Sequence, residues 1–147
     1  MSGFTVTRAY HFSAAHRLAS EELSDAENAA IFGQCFRQHG HNYLLEVTVS
    51  GALDPATGMS IDIGVVDRAV KTAVLDRVDH YDLSATVPAL SSVITTGENL
   101  ARTFWEWLEG ALPRGSLRAV TLVETANNVF EYEGGARAPV GAVAHGR

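Results

Sequence analysis

Between His39 and Ser50 the chain alternates with a period of two, Tyr43, Leu45, Val47 and Val49 on one side against Glu46 and Thr48 on the other. Successive side chains of a β-strand leave on opposite faces, so this segment must lie with one face on an apolar layer. The rhythm recurs over residues 4 to 12, where Phe4, Val6, Tyr10 and Phe12 alternate with Thr5, Thr7 and His11, and Arg8 alone breaks the apolar side. Residues 117 to 124 and 128 to 133 alternate again around Asn127-Asn128, a residue type that tolerates the positive φ of a tight turn.

Helical spacing fills the intervals. Val66, Ala69, Val70, Ala73, Val74 and Val78 predict a helix over 63–78, and Leu100, Phe104, Leu108 and Leu112 predict another over 98–112. Ser24 and Glu27 form a capping box ahead of a short helix at 25–32 that Gly33 stops, and Thr95 with Glu98 reads as a second capping box. Trp105 and Trp107 read as packing of the last helix, Trp107 nearer the rim. The order strand, short helix, strand, helix, helix, strand, strand predicts an α+β domain, two long helices on one face of a four-stranded antiparallel sheet. At 147 residues the chain fits one such domain over 1–133, with a Gly-, Ala- and Pro-rich flexible tail over 134–147. A four-stranded sheet keeps two open edges, so pairing with further copies is expected.

Composition narrows the function classes. No apolar run approaches the roughly 18 residues that span a bilayer, and the N-terminus lacks a basic start followed by an apolar block, so neither membrane insertion nor secretion is expected. The single Cys35 excludes an internal disulfide, which makes the cytoplasm the expected compartment. Eleven Lys and Arg against seventeen Asp and Glu give a formal charge of −6, the wrong sign for a nucleic-acid surface.

Five of the six histidines lie in the first 80 residues. His39 and His41, two apart at the head of a strand, leave from one face about 6.6 Å apart, within bridging distance of one ion. His16 joins them if the first two strands pair antiparallel, because the end of one then meets the start of the other. Three imidazoles with an open fourth position describe a catalytic zinc site, although copper, nickel and iron also accept nitrogen ligands. The same residues also fit a polar His-Gly-His turn with His16 elsewhere on the surface. Cys35, four residues before His39, is either a thiolate activated by a nearby cation or a small buried apolar residue. Asp79-His80 is either a tautomer-fixing pair or a histidine at a helix C-terminus. Glu124 follows Val120 and Leu122 on the inward side and there needs a two-pronged donor, such as a pterin edge or an internal arginine. Glu98 is accounted for by capping.

Phe12-Ser-Ala-Ala-His16-Arg-Leu, Cys35 before His39-Gly-His41-Asn-Tyr, Asp54-Pro-Ala-Thr-Gly-Met59, Val78-Asp79-His80, Thr96-Gly-Glu98-Asn99 and Glu124-Thr-Ala-Asn-Asn128 stand in that order. Together they resemble the 6-pyruvoyl-tetrahydropterin synthase family over residues 4 to 133. The resemblance implies a tunnelling fold that trimerises into a barrel and stacks as a homohexamer, with active sites between subunits. It implies His16, His39 and His41 as zinc ligands, Cys35 as catalytic thiol, Asp79 and His80 as proton-relay partners, and Glu124 as pterin anchor, with Thr96 and Glu98 in the substrate pocket. The implied substrate is 7,8-dihydroneopterin triphosphate, with triphosphate eliminated and no nicotinamide or flavin. The family has two product branches. The segments Leu23–Asn28, Phe32–Cys35 and Asp54–Met59 look like the branch yielding 6-pyruvoyl-tetrahydropterin. The three-residue gap between Cys35 and His39 is familiar from the branch that loses acetaldehyde to give 6-carboxy-tetrahydropterin for queuosine-type deazapurines. A non-catalytic, metal-stabilised purine or pterin binder is the rival from another class. Gly97 departs from the family, where Ser or Thr is usual, as does Asp82, where Asn is common.

Overall fold

The computed structural model describes residues 3–135, so nearly all of the segment expected as a tail lies outside the described residues. Four strands, β1 Phe4–His16, β2 His39–Gly51, β3 Leu117–Thr125 and β4 Asn128–Tyr132, form one antiparallel sheet in the order β1-β2-β3-β4. The β1–β2 register runs unbroken from Phe4 opposite Gly51 to His16 opposite His39. This register brings the three histidines to one end of the sheet.

Three helices complete the fold. The first, α1, is Asp25–Phe32; α2 begins as Ile63–Val70, widens into a π turn at Lys71–Leu75 and closes with Asp76–Val78; α3 is Gly97–Glu109. Val66, Val70, Val74 and Val78 of α2 and Leu100, Phe104 and Leu108 of α3 are fully buried. They pack in one core with Tyr43, Leu45, Val47 and Val49 of β2 and with Val120 and Leu122 of β3. The inward set of each strand is the alternating apolar set, as the pleat requires. Trp107 packs on Phe104 with its ring beneath the Arg77 guanidinium, and Trp105 meets Tyr132 edge to face, so both tryptophans serve packing.

The structure corrects the sequence reading at four places. β1 continues past Phe12 to His16, because Ala14 and His16 extend the inward set and residues 81–83 bond along the outer edge: the Ala15 N–H donates to the Tyr81 carbonyl at 3.1 Å and the Leu83 N–H to the Ala15 carbonyl at 2.8 Å. The Ser-Ala-Ala stretch has too little polarity contrast for alternation to show. The helix over 63–78 carries a π turn, across which the Lys71 ammonium reaches the Asp76 carboxylate at 2.9 Å. The N-cap of α3 is Thr96, whose hydroxyl accepts the Asn99 N–H, so Glu98 is not a capping acid. That helix ends at Glu109 instead of residue 112, with Gly110 as its C-cap.

Arg8, the breach in the first strand, sits at the flank of the core. Its guanidinium forms a two-pronged pair with Asp67 of α2 at 2.9 and 3.0 Å, and the Tyr10 hydroxyl donates to the same carboxylate at 2.6 Å. Among the described residues no helix is long and apolar enough to cross a membrane.

Candidate metal centre

The strand ends that meet at His16 and His39 build a cluster of imidazoles. The ring centroids lie 4.6 Å apart for His16–His39, 5.1 Å for His16–His41 and 4.9 Å for His39–His41. One ligand nitrogen from each lies within 4.8 Å of the other two. A zinc ion with nitrogen ligands near 2.0–2.1 Å holds them closer than about 4.2 Å to one another, so only small side-chain adjustments are needed.

Backbone carbonyls set the tautomers. The His16 Nδ1–H donates to the Thr95 carbonyl at 3.0 Å, and the His39 Nδ1–H donates to the Arg37 carbonyl at 2.7 Å. A carbonyl only accepts, so both rings keep the Nε2 lone pair free, the arrangement by which an outer partner orients a metal ligand. The Nε2 atoms of His16 and His41 are buried without a hydrogen-bond partner. Two such atoms together cost several kcal/mol unless something accepts their lone pairs, and a divalent cation does so. Burial first, then the neighbouring imidazoles, push the pKa of His16 down to about 4, and burial lowers His41 as well. At neutral pH both are therefore neutral imidazoles, the form that binds metal. The residues present fit a zinc ion on this observation.

A carboxylate stands at the rim. Glu124, 13% exposed, places Oε2 3.9 Å from the His16 Nε2 and 3.8 Å from the His41 Nε2, while Oε1 accepts from the Asn128 amide at 3.3 Å. It is adjacent to the three-nitrogen set, and its inward direction matches the alternation of β3. Cys35, half-buried in a 3₁₀ turn at Gly33–Phe36, is tied to the end of β1 by the Leu18 N–H, which donates to its carbonyl at 2.8 Å. The turn is held further by Arg17, whose guanidinium lies over the Phe36 ring at 4.8 Å.

Asp79 and His80 occupy a different position, along the outer edge of β1. The Asp79 carboxylate accepts the Ser13 N–H at 3.0 Å and the His80 Nδ1–H at 2.8 Å. The His80 ring is 82% exposed and its backbone takes φ 68, in the left-handed region that is uncommon for residues other than glycine. His80 lines a cleft of about 440 Å³ with Ser13, Gly40, His41, Asn42 and Asp82. The cleft thus reaches from the edge of β1 to His41 of the imidazole cluster. Thr96 is half-buried at the head of α3, and Glu98 is exposed without a side-chain hydrogen-bond partner among the described residues.

Two neighbours of the cluster escaped the sequence reading. Thr95, 2% exposed, holds His16 by its carbonyl and approaches the Ser84 hydroxyl at 3.3 Å. It lies 79 residues from His16, and a backbone carbonyl carries no residue-type signal. Tyr43 lies edge-on to His41 and His16, at 5.4 and 6.2 Å between centroids, and reads in the sequence only as one more inward apolar residue. Burial, with the Glu124 charge beside it, raises its phenol far above the usual range, so it stays protonated.

Comparison with known proteins places the chain in a family. A family model described as 6-pyruvoyl tetrahydropterin synthase matches residues 5–135. The 6-pyruvoyl tetrahydrobiopterin synthase of Pongo abelii is 44% identical over 131 residues, covering 88% of this chain and 90% of that protein. The structure of the Caenorhabditis elegans 6-pyruvoyl tetrahydropterin synthase superposes with a TM-score of 0.87 at 40% identity, covering 92% of this chain and 98% of the other. The 6-carboxy-5,6,7,8-tetrahydropterin synthase of Aquifex aeolicus is 27% identical over 157 residues, covering 87% of this chain and 96% of that protein. By fold and by sequence, the chain belongs to the 6-pyruvoyl tetrahydropterin synthase family.

Proposed function

We propose that this chain is a zinc-dependent carbon–oxygen lyase that converts 7,8-dihydroneopterin triphosphate to 6-pyruvoyl-tetrahydropterin with release of triphosphate. The observation that carries the reading is the trio of converging imidazoles, two of them with unpartnered buried Nε2 atoms, in a chain 44% identical to a protein named for the pyruvoyl product.

His16, His39 and His41 hold the ion, oriented through the Thr95 and Arg37 carbonyls. When bound, the ion acts as a Lewis acid on the oxygens of the substrate's side chain and acidifies the adjoining C–H bonds. Cys35, on the turn fastened to β1, serves as the base that takes a carbon-bound proton. Glu124 accepts from the amino and ring N–H edge of the pterin with its open oxygen, while Asn128 steadies the other. Thr96 and Glu98 at the head of α3 complete the substrate pocket; Glu98, released from capping, is free for that role.

Asp79 and His80 act as a proton relay, the Asp79 carboxylate fixing the imidazole through its Nδ1–H. Their position on the outer edge of β1 supports relay to a neighbouring subunit's site. Among the described residues, β1 keeps residues 4 to 12 free of any strand partner on that side, and β4 forms the other edge of the sheet. Pairing β1 of one copy with β4 of the next builds a homotrimeric barrel, two of which stack as a homohexamer in the cytoplasm, without nucleic acid or membrane as partner.

The test is incubation of zinc-loaded protein with 7,8-dihydroneopterin triphosphate. Triphosphate and a product with the mass of 6-pyruvoyl-tetrahydropterin are expected. Release of acetaldehyde with 6-carboxy-tetrahydropterin selects the other branch, which the short Cys35–His39 gap favours. No release of triphosphate overturns the lyase reading and leaves a pterin- or purine-binding module, which Cys35→Ala leaves nearly unchanged in ligand affinity.

A further inference from the structure

Among the described residues, three buried side-chain polar atoms lack a hydrogen-bond partner: His16 Nε2, His41 Nε2 and Tyr43 Oη. All three belong to one cluster. Two are accounted for as metal ligands, and the third is not, because a neutral phenol is a donor first and a poor ligand for zinc.

The ring of Tyr43 has little freedom to find a partner elsewhere. It is fully buried and stacks on Phe12, its register partner in β1, at 4.7 Å with 11° between the planes. On its other side, one step beyond the paired Leu44 and Val123, lies the strand position of Glu124. His41 precedes it on the same face, 5.4 Å away edge to face. Tyr43 is thus hemmed in by a stacked ring, a carboxylate strand position and two imidazoles. A buried hydroxyl without a partner costs about 1–3 kcal/mol, a cost that replacement by phenylalanine would remove. Such a group is retained at a stability penalty where it serves a bound ligand.

We infer that the Tyr43 phenol is a hydrogen-bond donor to the oxygen atom that occupies the coordination position left open by His16, His39 and His41. This deepens the lyase reading by adding a donor at the reacting end of the site. A hydroxyl, carbonyl or carboxylate oxygen bound there would be held from two sides, by the cation and by the phenol O–H.

The experiment compares wild type with Tyr43→Phe in three states. Without metal, the variant is expected to melt at the same temperature as wild type or higher; a lower melting temperature means the hydroxyl has a structural partner and overturns the inference. Loaded with cobalt(II) and titrated with acetate while the visible absorption is followed, the variant is expected to bind acetate about tenfold more weakly, the worth of one such hydrogen bond. Equal acetate affinity overturns the inference. Zinc-loaded with 7,8-dihydroneopterin triphosphate, the variant is expected to lose about 100- to 1000-fold in kcat, and an unchanged kcat beside an active wild type overturns the inference. A wild type that releases no triphosphate sinks the lyase reading alone, since the acetate titration still judges the phenol.

Discussion

His16, the last residue of β1, is the register partner of His39, the first of β2, and their rings meet at 4.6 Å. Two of the three clustered imidazoles are therefore fixed by strand pairing, with His41 following two residues on. On the zinc reading proposed above, His39→Ala removes one of three nitrogen donors without touching the core. Zinc affinity is expected to fall by more than about 100-fold, beyond the 10–100-fold typical of losing an outer partner. Competition against a coloured chelator measures it. Stripping zinc from wild type with a chelator is expected to lower the melting temperature, since a ligand held at a thousand times its Kd contributes about 4 kcal/mol.

His80 holds φ 68 with its ring in solvent. Asparagine enters that backbone region with less strain, so His80→Asn is expected to leave stability equal or raise it by up to about 1 kcal/mol in urea unfolding. Turnover is expected to fall about 100-fold or more, the usual worth of a proton-transfer group. A structural histidine would give the opposite pattern, with stability lost and kcat kept.

Gly97, at the head of α3, lies directly against the Phe130 ring. A Cβ at Gly97 would come within 2.1 Å of the Phe130 ring. Gly97→Ser is expected to destabilise by about 1–3 kcal/mol, the range for overpacking a filled interior. Combining it with Phe130→Leu is expected to recover a large part of that loss. Equal and additive costs in a double-mutant cycle would show that the ring is not the obstacle.

The sheet was legible because alternation reports which side of a strand is wet. Tyr43, Leu45, Val47, Val49 and Glu124 all lie inward as the period demands. The histidine trio was legible for the same reason, since parity puts His39 and His41 on one face. The capping residue was missed by one position because Thr95 and Thr96 are adjacent and chemically equivalent. Only the fold decides that Thr95 turns in to hold His16 while Thr96 caps the helix. The π turn of α2 and the orphaned Tyr43 hydroxyl were illegible, as neither departs from the apolar spacing that predicts burial.

Asp67 carries the pH dependence of the flank. The Arg8 guanidinium, then the Tyr10 hydroxyl, hold its carboxyl below the usual carboxylate range. Because the folded pKa is depressed, the stabilisation is complete above the unfolded carboxyl value near 3.8 and is lost as pH falls through the lower folded value. Wild type and Asp67→Asn are therefore expected to differ by a constant amount from pH 5 to pH 7 and to converge below about pH 4. The group is partly exposed, 38% for Asp67 and 39% for Arg8, so salt screens the charge interaction and the difference is expected to shrink in 1 M sodium chloride. The hydrogen bond from Tyr10 survives salt, so the shrinkage is partial. Chemical denaturation at pH 3, 5 and 7, at low and high salt, reads both effects. A gap between the two proteins that persists unchanged at pH 3 would assign the role of Asp67 to packing and not to charge.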